Sequence, residues 1–205
     1  MERLSPQDAV FLSLENEFNH MSIANLCIFA GPPPAEDTIK KMIASKLHLA
    51  PRLRQRLHFV PLHAGTPVWS DDPHFSLRYH VRHTALPAPG SDEQLRALVG
   101  QVMSQQLDRT KSLWELWVVE GLGNGGWAIL FKIHHCVADG VAAAELLGLL
   151  LDSKARVKRN PPRPWEPEET PSRGDLIRGA LSERLESPGV ILDAVGNAVR
   201  QPRGA

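Results

Sequence analysis

The sequence is poor in the features that define several large protein classes. It has two cysteines and one tyrosine in 205 residues, and its 23 basic residues balance its 23 acidic ones. Cys27 and Cys136 lie far apart and form no C-x-x-C pair, which predicts free thiols in a reducing compartment rather than a disulfide framework. The formal net charge is zero, so the sequence lacks the excess of basic residues typical of nucleic-acid-binding proteins, and we expect no nucleic acid as a partner.

Long hydrophobic runs are also missing. No segment approaches the ~18 consecutive apolar residues of a membrane-spanning helix. The N-terminus lacks the basic region and apolar core of a secretory signal. We therefore expect a cytoplasmic protein whose contact with membranes or lipid inclusions is peripheral. The length suits one domain with a sizeable core and an appended tail.

The most informative segment is an apolar stretch followed by two histidines. Residues 127–131 are uniformly apolar, which predicts a strand buried within a sheet. Residues 141–151 contain almost no turn formers and predict a buried helix. Between these segments stand four candidate site residues, His134, His135, Asp139 and Gly140. They occupy a loop from a strand end into a helix, where side chains are both firmly held and accessible.

The pattern of these four residues restricts their roles. Adjacent side chains of a strand point to opposite faces, so one of His134 and His135 acts and the other supports it. Asp139 caps the following helix, orients an imidazole or pairs with a cation. Gly140 suits a sharp turn with positive φ or a close approach of backbone. The alternative interpretation is a structural one, a buried histidine pair bonded by backbone groups beside a capping aspartate.

Local signals predict the elements before this segment. Ser5 and Pro6 mark the start of a short helix that runs to about Asn16, with apolar residues that suggest burial on more than one side. Ser91 or Asp92 caps a second helix. The other predicted elements are strands at 23–29, 59–60, 68–69 and 113–120, a helix at 36–49 with a stripe of Ile39, Ile43 and Leu47, and a hairpin that joins 113–120 to 127–131 through the turn 121–126.

Three arginines cluster at Arg52, Arg54 and Arg56. A phosphate- or CoA-binding role is one interpretation. A solvated basic edge with one arginine buried in an ion pair is the favoured one.

Residues 75–81 alternate between apolar and polar, which predicts a strand with one buried face. His74, His80 and His83 lie along this segment without a carboxylate or cysteine at ligand spacing. We therefore expect solvent-facing histidines and no metal site.

The composition changes beyond Leu151. A basic run is followed by five prolines between Pro161 and Pro171, which predicts an extended, exposed linker. We predict a domain that carries the histidine motif over 1–152, a linker over 153–174 and a helical or disordered tail over 175–205. In the tail, 175–185 and 189–199 are candidate short helices that bury little by themselves.

Several blocks beyond the histidine pair carry a family resemblance. The blocks are Ser5-Pro6-x-Asp8-x-x-Phe11-Leu12-x-x-Glu15, Pro51-Arg52-Leu53-Arg54-Gln55-Arg56-Leu57, Leu107-Asp108-Arg109, Leu113-Trp114-Glu115 and the His-His-x-x-x-Asp-Gly motif. Their order over residues 1 to 152 resembles the bacterial wax ester synthase/diacylglycerol acyltransferase family of the CoA-dependent acyltransferase superfamily. Lys111-Ser112 departs from the Arg-Pro of that family, and the family has a second half that this sequence does not include.

The resemblance implies a fold and a reaction. The fold is the chloramphenicol-acetyltransferase-like α/β half, a mixed and mainly antiparallel sheet flanked by helices. The reaction is the transfer of an acyl group from acyl-CoA, a co-substrate rather than a bound cofactor, to a fatty alcohol or diacylglycerol. His135 is the general base, a role that suits an imidazole titrating near neutral pH. His134 supports it, Asp139 is a structural acid that pairs with an arginine, and Gly140 leaves room for the pantetheine arm.

Three alternatives remain at this stage. Cys136 beside a histidine is a conceivable acyl acceptor. The second alternative is a non-catalytic or incomplete half of an enzyme that binds lipid, a partner chain or a second copy through an exposed apolar wall. A condensation-type domain acting on carrier-bound substrates fits the blocks less well.

Overall fold

A computed structural model describes residues 2–61, 65–152, 161 and 164–186. Its strands are β1 (Glu2–Arg3), β2 (Ser22–Phe29), β3 (Gln55–His58), β4 (Val68–Asp71), β5 (Val81–Ala85), β6 (Trp114–Glu120) and β7 (Trp127–His134). Its α-helices are α1 (Pro6–Leu14), α2 (Glu36–Lys46), α3 (Leu77–His80), α4 (Asp92–Met103), α5 (Gly140–Leu150) and α6 (Arg173–Glu186). Two 3₁₀ turns, Leu47–Leu49 and Pro51–Arg54, follow α2.

The strands form two sheets, one of which carries the histidine motif. The larger sheet has the order β2-β7-β6-β5, in which only the β5–β6 pair is parallel. Every residue of β7 is buried, because β7 lies between two strands and both sheet faces are covered. The smaller sheet, β1-β4-β3, is antiparallel. This mixed, mainly antiparallel architecture confirms the predicted fold class.

The hydrophobic core consists of one main cluster of buried residues and two smaller ones. Helices α2 and α5 pack on one face of the larger sheet, and α4 covers part of the other face. A third cluster joins α1 and the smaller sheet to the start of β6 and to Cys136. The histidine motif therefore ends a strand at the junction of the two larger clusters.

Lys132 connects α4 to the central strand. Its side chain is fully buried on β7, and its Nζ donates to the backbone oxygens of Val102, at 2.8 Å, and of Gln105. Burial lowers the pKa of Lys132. An ammonium at the C-terminal end of a helix satisfies carbonyls that have no partner within the helix and opposes the helix dipole favourably.

The local sequence signals for helix ends are confirmed. The Ser5 side chain accepts from the backbone N–H of Asp8, with Pro6 as the first residue of α1. Ser91 caps α4 and forms a reciprocal capping box with Gln94. The predicted stripe of Ile39, Ile43 and Leu47 is buried, and the β6–β7 hairpin forms as expected.

The predicted strand over 75–81 is wrong. Residues Leu77–His80 form a short helix, and strand β5 begins at Val81. His80 is consequently buried rather than solvent-facing, with its ring stacked between Phe75 and Trp114. Its Nδ1 lies 2.8 Å from the backbone oxygen of Trp114. A seven-residue alternation fits one turn of helix followed by a strand as well as it fits a continuous strand.

The predicted burial of α1 and α5 is also wrong. Only Leu12 of α1 is buried, while Val10 and Leu14 are exposed. In α5 one face is buried, but Val141 and Leu149 lie exposed on the other. Both helices thus carry apolar side chains that no described residue covers.

The arginine cluster forms an exposed ion pair rather than the expected buried one, and a phosphate- or CoA-binding role stays a prediction. Strand β3 begins within it, at Gln55, so the short strand predicted at 59–60 lies four residues too late. Arg52 pairs with exposed Glu2 and stacks over Trp69, and Arg54 stacks over Trp165. All three arginines are half-buried. Aromatic rings cover the guanidinium planes of Arg52 and Arg54, whereas Arg56 donates to the backbone oxygen of Thr110 at 3.5 Å.

The C-terminal segment is described only in part. Residues 164–172 have no regular structure, and Trp165 contacts Phe75 and Arg54. Helix α6 buries Leu176 and Ala180 and packs beside Gly65. The candidate helix over 189–199 and the basic run over 154–159 lie outside the described residues. The division at residues 152 and 174 stays a prediction.

None of the described helices has the length and apolarity needed to cross a bilayer.

Candidate functional site

The histidine motif is fixed by backbone hydrogen bonds from two sides. The backbone N–H of His134 donates to Leu113 O at 3.0 Å, and that of His135 donates to Met21 O at 2.7 Å. The N–H of Val137 then donates to His134 O at 2.9 Å and closes a tight turn. Hydrogen bonds therefore hold the backbone beyond the strand end as far as Val137.

His134 is fully buried and has a defined tautomer. The backbone N–H of Cys136 donates to His134 Nδ1 at 3.1 Å. An amide donates only to an unprotonated ring nitrogen, so the proton of the neutral ring is on Nε2. His134 thus agrees with the structural alternative, a buried histidine that is hydrogen-bonded to the backbone.

A buried carboxylate faces the other nitrogen of His134. Glu15 Oε1 lies 3.5 Å from His134 Nε2, longer than a well-formed hydrogen bond, so the contact is mainly electrostatic. Glu15 Oε2 accepts from Arg109 Nη2 at 2.6 Å and Nε at 2.9 Å. The Glu15 side chain is 1% exposed and that of Arg109 36% exposed, which makes this a charge pair open to solvent from one side only.

Burial keeps His134 neutral. It lowers the pKa of His134 to about 4, against the opposite effect of the Glu15 charge, while the Arg109 charge lowers it further. At neutral pH His134 is therefore an uncharged hydrogen-bonding group. This fits the supporting role predicted for it.

His135 is the accessible member of the pair. Its side chain is half-buried, and its ring stacks on Phe11 with centroids 3.9 Å apart and planes inclined by 23°. Its Nδ1 is buried, and no group in the described parts of the chain hydrogen-bonds to it. The accessible part of the ring consequently lies on the side away from Nδ1.

Asp139 serves as a helix cap. Its side chain accepts from the backbone N–H of Ala142 at 2.8 Å at the start of α5. Asp139 is exposed, and among residues 2–61, 65–152, 161 and 164–186 no arginine forms an ion pair with it. Of the three roles expected for it, the structure displays capping.

Gly140 does not have the conformation that was expected. It is the first residue of α5 and is absent from the glycines with positive φ. A Cβ added to Gly140 would meet no heavy atom within 4 Å. The backbone conformation at residue 140 therefore does not require glycine, but the absence of a side chain leaves open space beside the backbone.

Cys136 is unsuited to be an acyl acceptor. It is buried beneath α1, and burial raises the pKa of its thiol to about 12, with smaller contributions from Asp8 and Glu15. The thiolate is the nucleophilic form of cysteine, and it is scarcely populated at neutral pH with such a pKa. Cys27 and Cys136 are both free, as predicted.

Sequence reasoning missed three residues around the histidines. Glu15, Arg109 and Phe11 enter the sequence prediction only as members of the blocks that carry the family resemblance, without a role. Glu15 and Arg109 are 94 residues apart, so spacing alone does not reveal their contact. The available signal was the occurrence of all three in blocks collinear with the histidine motif.

Two further features bear on what the site binds. The described residues contain no group of His, Cys, Asp and Glu that could hold a metal ion. A cavity of about 330 Å³ lies between α1, residues 59–60 and the turn 65–67, with Arg109 at its wall. Neither histidine lines it, so this cavity is separate from the accessible ring of His135.

Comparisons with known proteins agree with the geometry. The family model "Wax ester synthase/diacylglycerol acyltransferase catalytic domain" matches residues 4–205, beyond the end of the predicted resemblance at residue 152. A protein of Mycobacterium tuberculosis named as a probable diacylglycerol O-acyltransferase is 44% identical over 74% of this chain and 33% of its own length. A second one is 37% identical over 96% of this chain and 73% of its own length.

Solved structures show the same fold. The wax ester synthase/diacylglycerol acyltransferase of Marinobacter aquaeolei VT8 is similar over 71% of this chain and 37% of its own, with 33% identity and a TM-score of 0.59. The starter condensation domain of rhizomide synthetase shares the fold at 14% identity and a TM-score of 0.57. This chain spans about a third of the first of the curated relatives described above. It belongs to the wax ester synthase/diacylglycerol acyltransferase family.

Proposed function

We propose that this chain supplies the catalytic base of an acyl-CoA-dependent O-acyltransferase, and that His135 is that base. One observation carries the proposal. Of the two motif histidines, His134 is enclosed and hydrogen-bonded, whereas His135 presents an accessible ring edge from a backbone that is bonded to Met21. Family membership supports an acyl transfer as the reaction class.

The chemistry requires little beyond a base and correct placement. The thioester is already activated, whereas an alcohol is a weak nucleophile that must lose its proton as it attacks. His135 takes the hydroxyl proton as the alcohol oxygen bonds to the thioester carbonyl carbon. The carbon–sulfur bond then breaks, and the imidazolium returns the proton to the leaving CoA thiolate. The products are an ester and free CoA, and no acyl-enzyme forms.

The substrates follow from the family and from the names of relatives. We propose long-chain acyl-CoA as donor and a diacylglycerol or a fatty alcohol as acceptor. The mycobacterial relatives are named for diacylglycerol acylation, and the Marinobacter protein also for wax ester synthesis. Open space beside Gly140 is consistent with passage of the pantetheine arm at that point.

A substitution of His135 tests the proposal. In the catalytically competent form of the protein, His135→Ala should lower the rate of ester formation by about 10²- to 10⁴-fold, the usual contribution of a general base. Release of CoA thiol and appearance of the ester are measured together. His74→Ala, which removes an exposed histidine, is the matched control. Unchanged ester formation in His135→Ala excludes this base.

Exposed apolar side chains favour a second candidate, an incomplete half that needs a companion. They lie on α1, on the segment that follows it and on strand β2, namely Val10, Leu14, Phe18, Leu26 and Ile28. Strand β2 is also an edge of its sheet. Apolar side chains together with a strand edge that no described strand pairs with favour association with another chain, a second copy or lipid.

Gel filtration followed by the thiol-release assay separates the two candidates. A monomer that is inactive alone and gains turnover when a second chain is added supports the incomplete half. A monomer that forms ester at full rate contradicts it. An active oligomer supports self-association.

A further inference from the structure

Helix α1 contacts both histidines of the motif. Phe11 and Glu15 are four residues apart, and the backbone N–H of Glu15 donates to Phe11 O at 3.2 Å, so the two side chains project from the same side of the helix end. Phe11 stacks on the ring of His135. Glu15 faces Nε2 of His134. One helical turn thus supplies one contact to each ring.

Arg109 fixes the end of this helix. Its Nη2 donates to Leu12 O at 3.1 Å and to Glu15 Oε2 at 2.6 Å, and its Nε donates to the same carboxylate oxygen. Arg109 therefore occupies Oε2 and leaves Oε1 directed at His134. A guanidinium that bonds a backbone carbonyl and a carboxylate together holds both in one geometry.

The contacts continue through His134 into the turn that carries His135. A proton on Nε2 of His134 is favoured by the negative charge of Glu15 and leaves Nδ1 free to accept from the backbone of Cys136. This hydrogen bond joins His134 to Cys136 across His135, the residue between them. The orientation of His135 consequently depends on the tautomer of its neighbour and on the Phe11 ring packed against it.

We propose that Glu15 and Phe11 are positioning residues for the histidine pair. Glu15, held by Arg109, maintains the Nε2–H tautomer of His134, and Phe11 sets the plane of the His135 ring. The structural part of this proposal stands independently, and its kinetic consequence rests on the proposed function of His135.

The tautomer is measured by NMR of the ring nitrogens in the uniformly ¹⁵N-labelled chain. In the wild type, we expect His134 to show an unprotonated Nδ1 and a protonated Nε2. Glu15→Leu should raise the population of the Nδ1–H tautomer, because the negative charge that favours a proton on Nε2 is lost and only the Cys136 amide then opposes a proton on Nδ1. Glu15→Gln keeps a side-chain oxygen and should restore the single tautomer. Glu17→Gln, an exposed neighbour, is the matched control.

The Phe11 contact has its own signature. Ring protons of His135 should be shifted upfield by the stacked Phe11, and Phe11→Leu should abolish this shift while Phe11→Tyr retains it. Leu14→Ala, on an exposed position of the same helix, should leave both histidines unchanged. Circular dichroism of each variant confirms that it is folded.

Kinetics test the consequence for catalysis. Phe11→Leu should lower kcat by about tenfold to a hundredfold with little change in KM, because misplacing a base affects the chemical step and not substrate binding. Phe11→Tyr should stay near the wild-type kcat.

The tautomer and ring-shift data decide the proposal even if the chain alone has no turnover. A protonated Nδ1 in wild-type His134, or a Glu15→Leu variant with wild-type signals, overturns the role of Glu15. A His135 signal that is unchanged in Phe11→Leu overturns the role of Phe11. Failure of His135→Ala to reduce activity contradicts the proposed function and leaves these structural results standing.

Discussion

Acid should destabilise the fold through two buried histidines, His80 and His134. Both rings are at most 1% exposed. Burial lowers the pKa of each to about 4, although hydrogen bonding of His80 to Trp114 O and the charge of Glu15 near His134 act in the opposite direction. In the unfolded chain each ring titrates near its ordinary pKa of 6.5. Between these two values the unfolded state binds more protons than the folded state.

The size of the effect follows from this difference. Stability is fully present above about pH 6.5 and falls as the pH decreases towards about 4. The linkage relation gives a loss of about 2 kcal/mol for each histidine between about pH 7.5 and about pH 5. Typical domains are stable by about 5–15 kcal/mol, so the two losses together are a large fraction of the total.

The variant His80→Gln isolates one of the two contributions. A glutamine amide can donate to Trp114 O as the imidazole does, but it does not titrate. Urea unfolding, followed by tryptophan fluorescence at both pH values and constant ionic strength, gives the free energies of unfolding. His80→Gln should lose about 2 kcal/mol less than the wild type on acidification.

The control for this experiment is His74→Gln, which replaces an exposed histidine in the same segment. It should lose as much stability as the wild type. Equal losses in the wild type and in His80→Gln would refute the reasoning, because they would show that His80 is protonated in the folded state without cost.

Two further predictions concern the loop between β7 and α5. In the native protein, iodoacetamide should label half-buried Cys27 before buried Cys136. Cys136→Ala should leave ester formation unchanged, since a thiol with a pKa of about 12 accepts no acyl group. Loss of activity in a folded Cys136→Ala variant would contradict this. Asp139→Ala should lower the free energy of unfolding by about 1 kcal/mol through loss of the α5 cap, whereas Asp139→Asn should lower it much less. Equal stability of the two variants in urea unfolding would argue against the cap.

The features that the sequence predicts well are those set by neighbouring residues. Ser5 and Ser91 are caps because the hydrogen bond they make reaches only three residues along the chain. The β6–β7 hairpin follows from a turn between two apolar runs. Strand alternation predicts that the two adjacent histidines differ in environment, and His134 is enclosed while His135 is half-buried.

The features that it predicts poorly depend on residues far along the chain. His80 is polar and lies in an alternating run, but Phe75 and Trp114 enclose it, and Trp114 is 34 residues away. The pair of Glu15 with Arg109 has no local signature at all. Helix α5 was expected to be buried because its composition is apolar, yet burial depends on what packs against each face.

The pairing of β2 with β7 has a consequence for how the protein is made. Ser22 pairs with His134 and Phe29 with Trp127, partners about a hundred residues apart. During synthesis β2 therefore leaves the ribosome long before its partner, and none of its eight residues is charged. Since the partner strand ends in His134, the histidine site can form only after the chain has been made as far as this strand. Translation that stalls before that point leaves an apolar strand without its partner and the histidine site unformed.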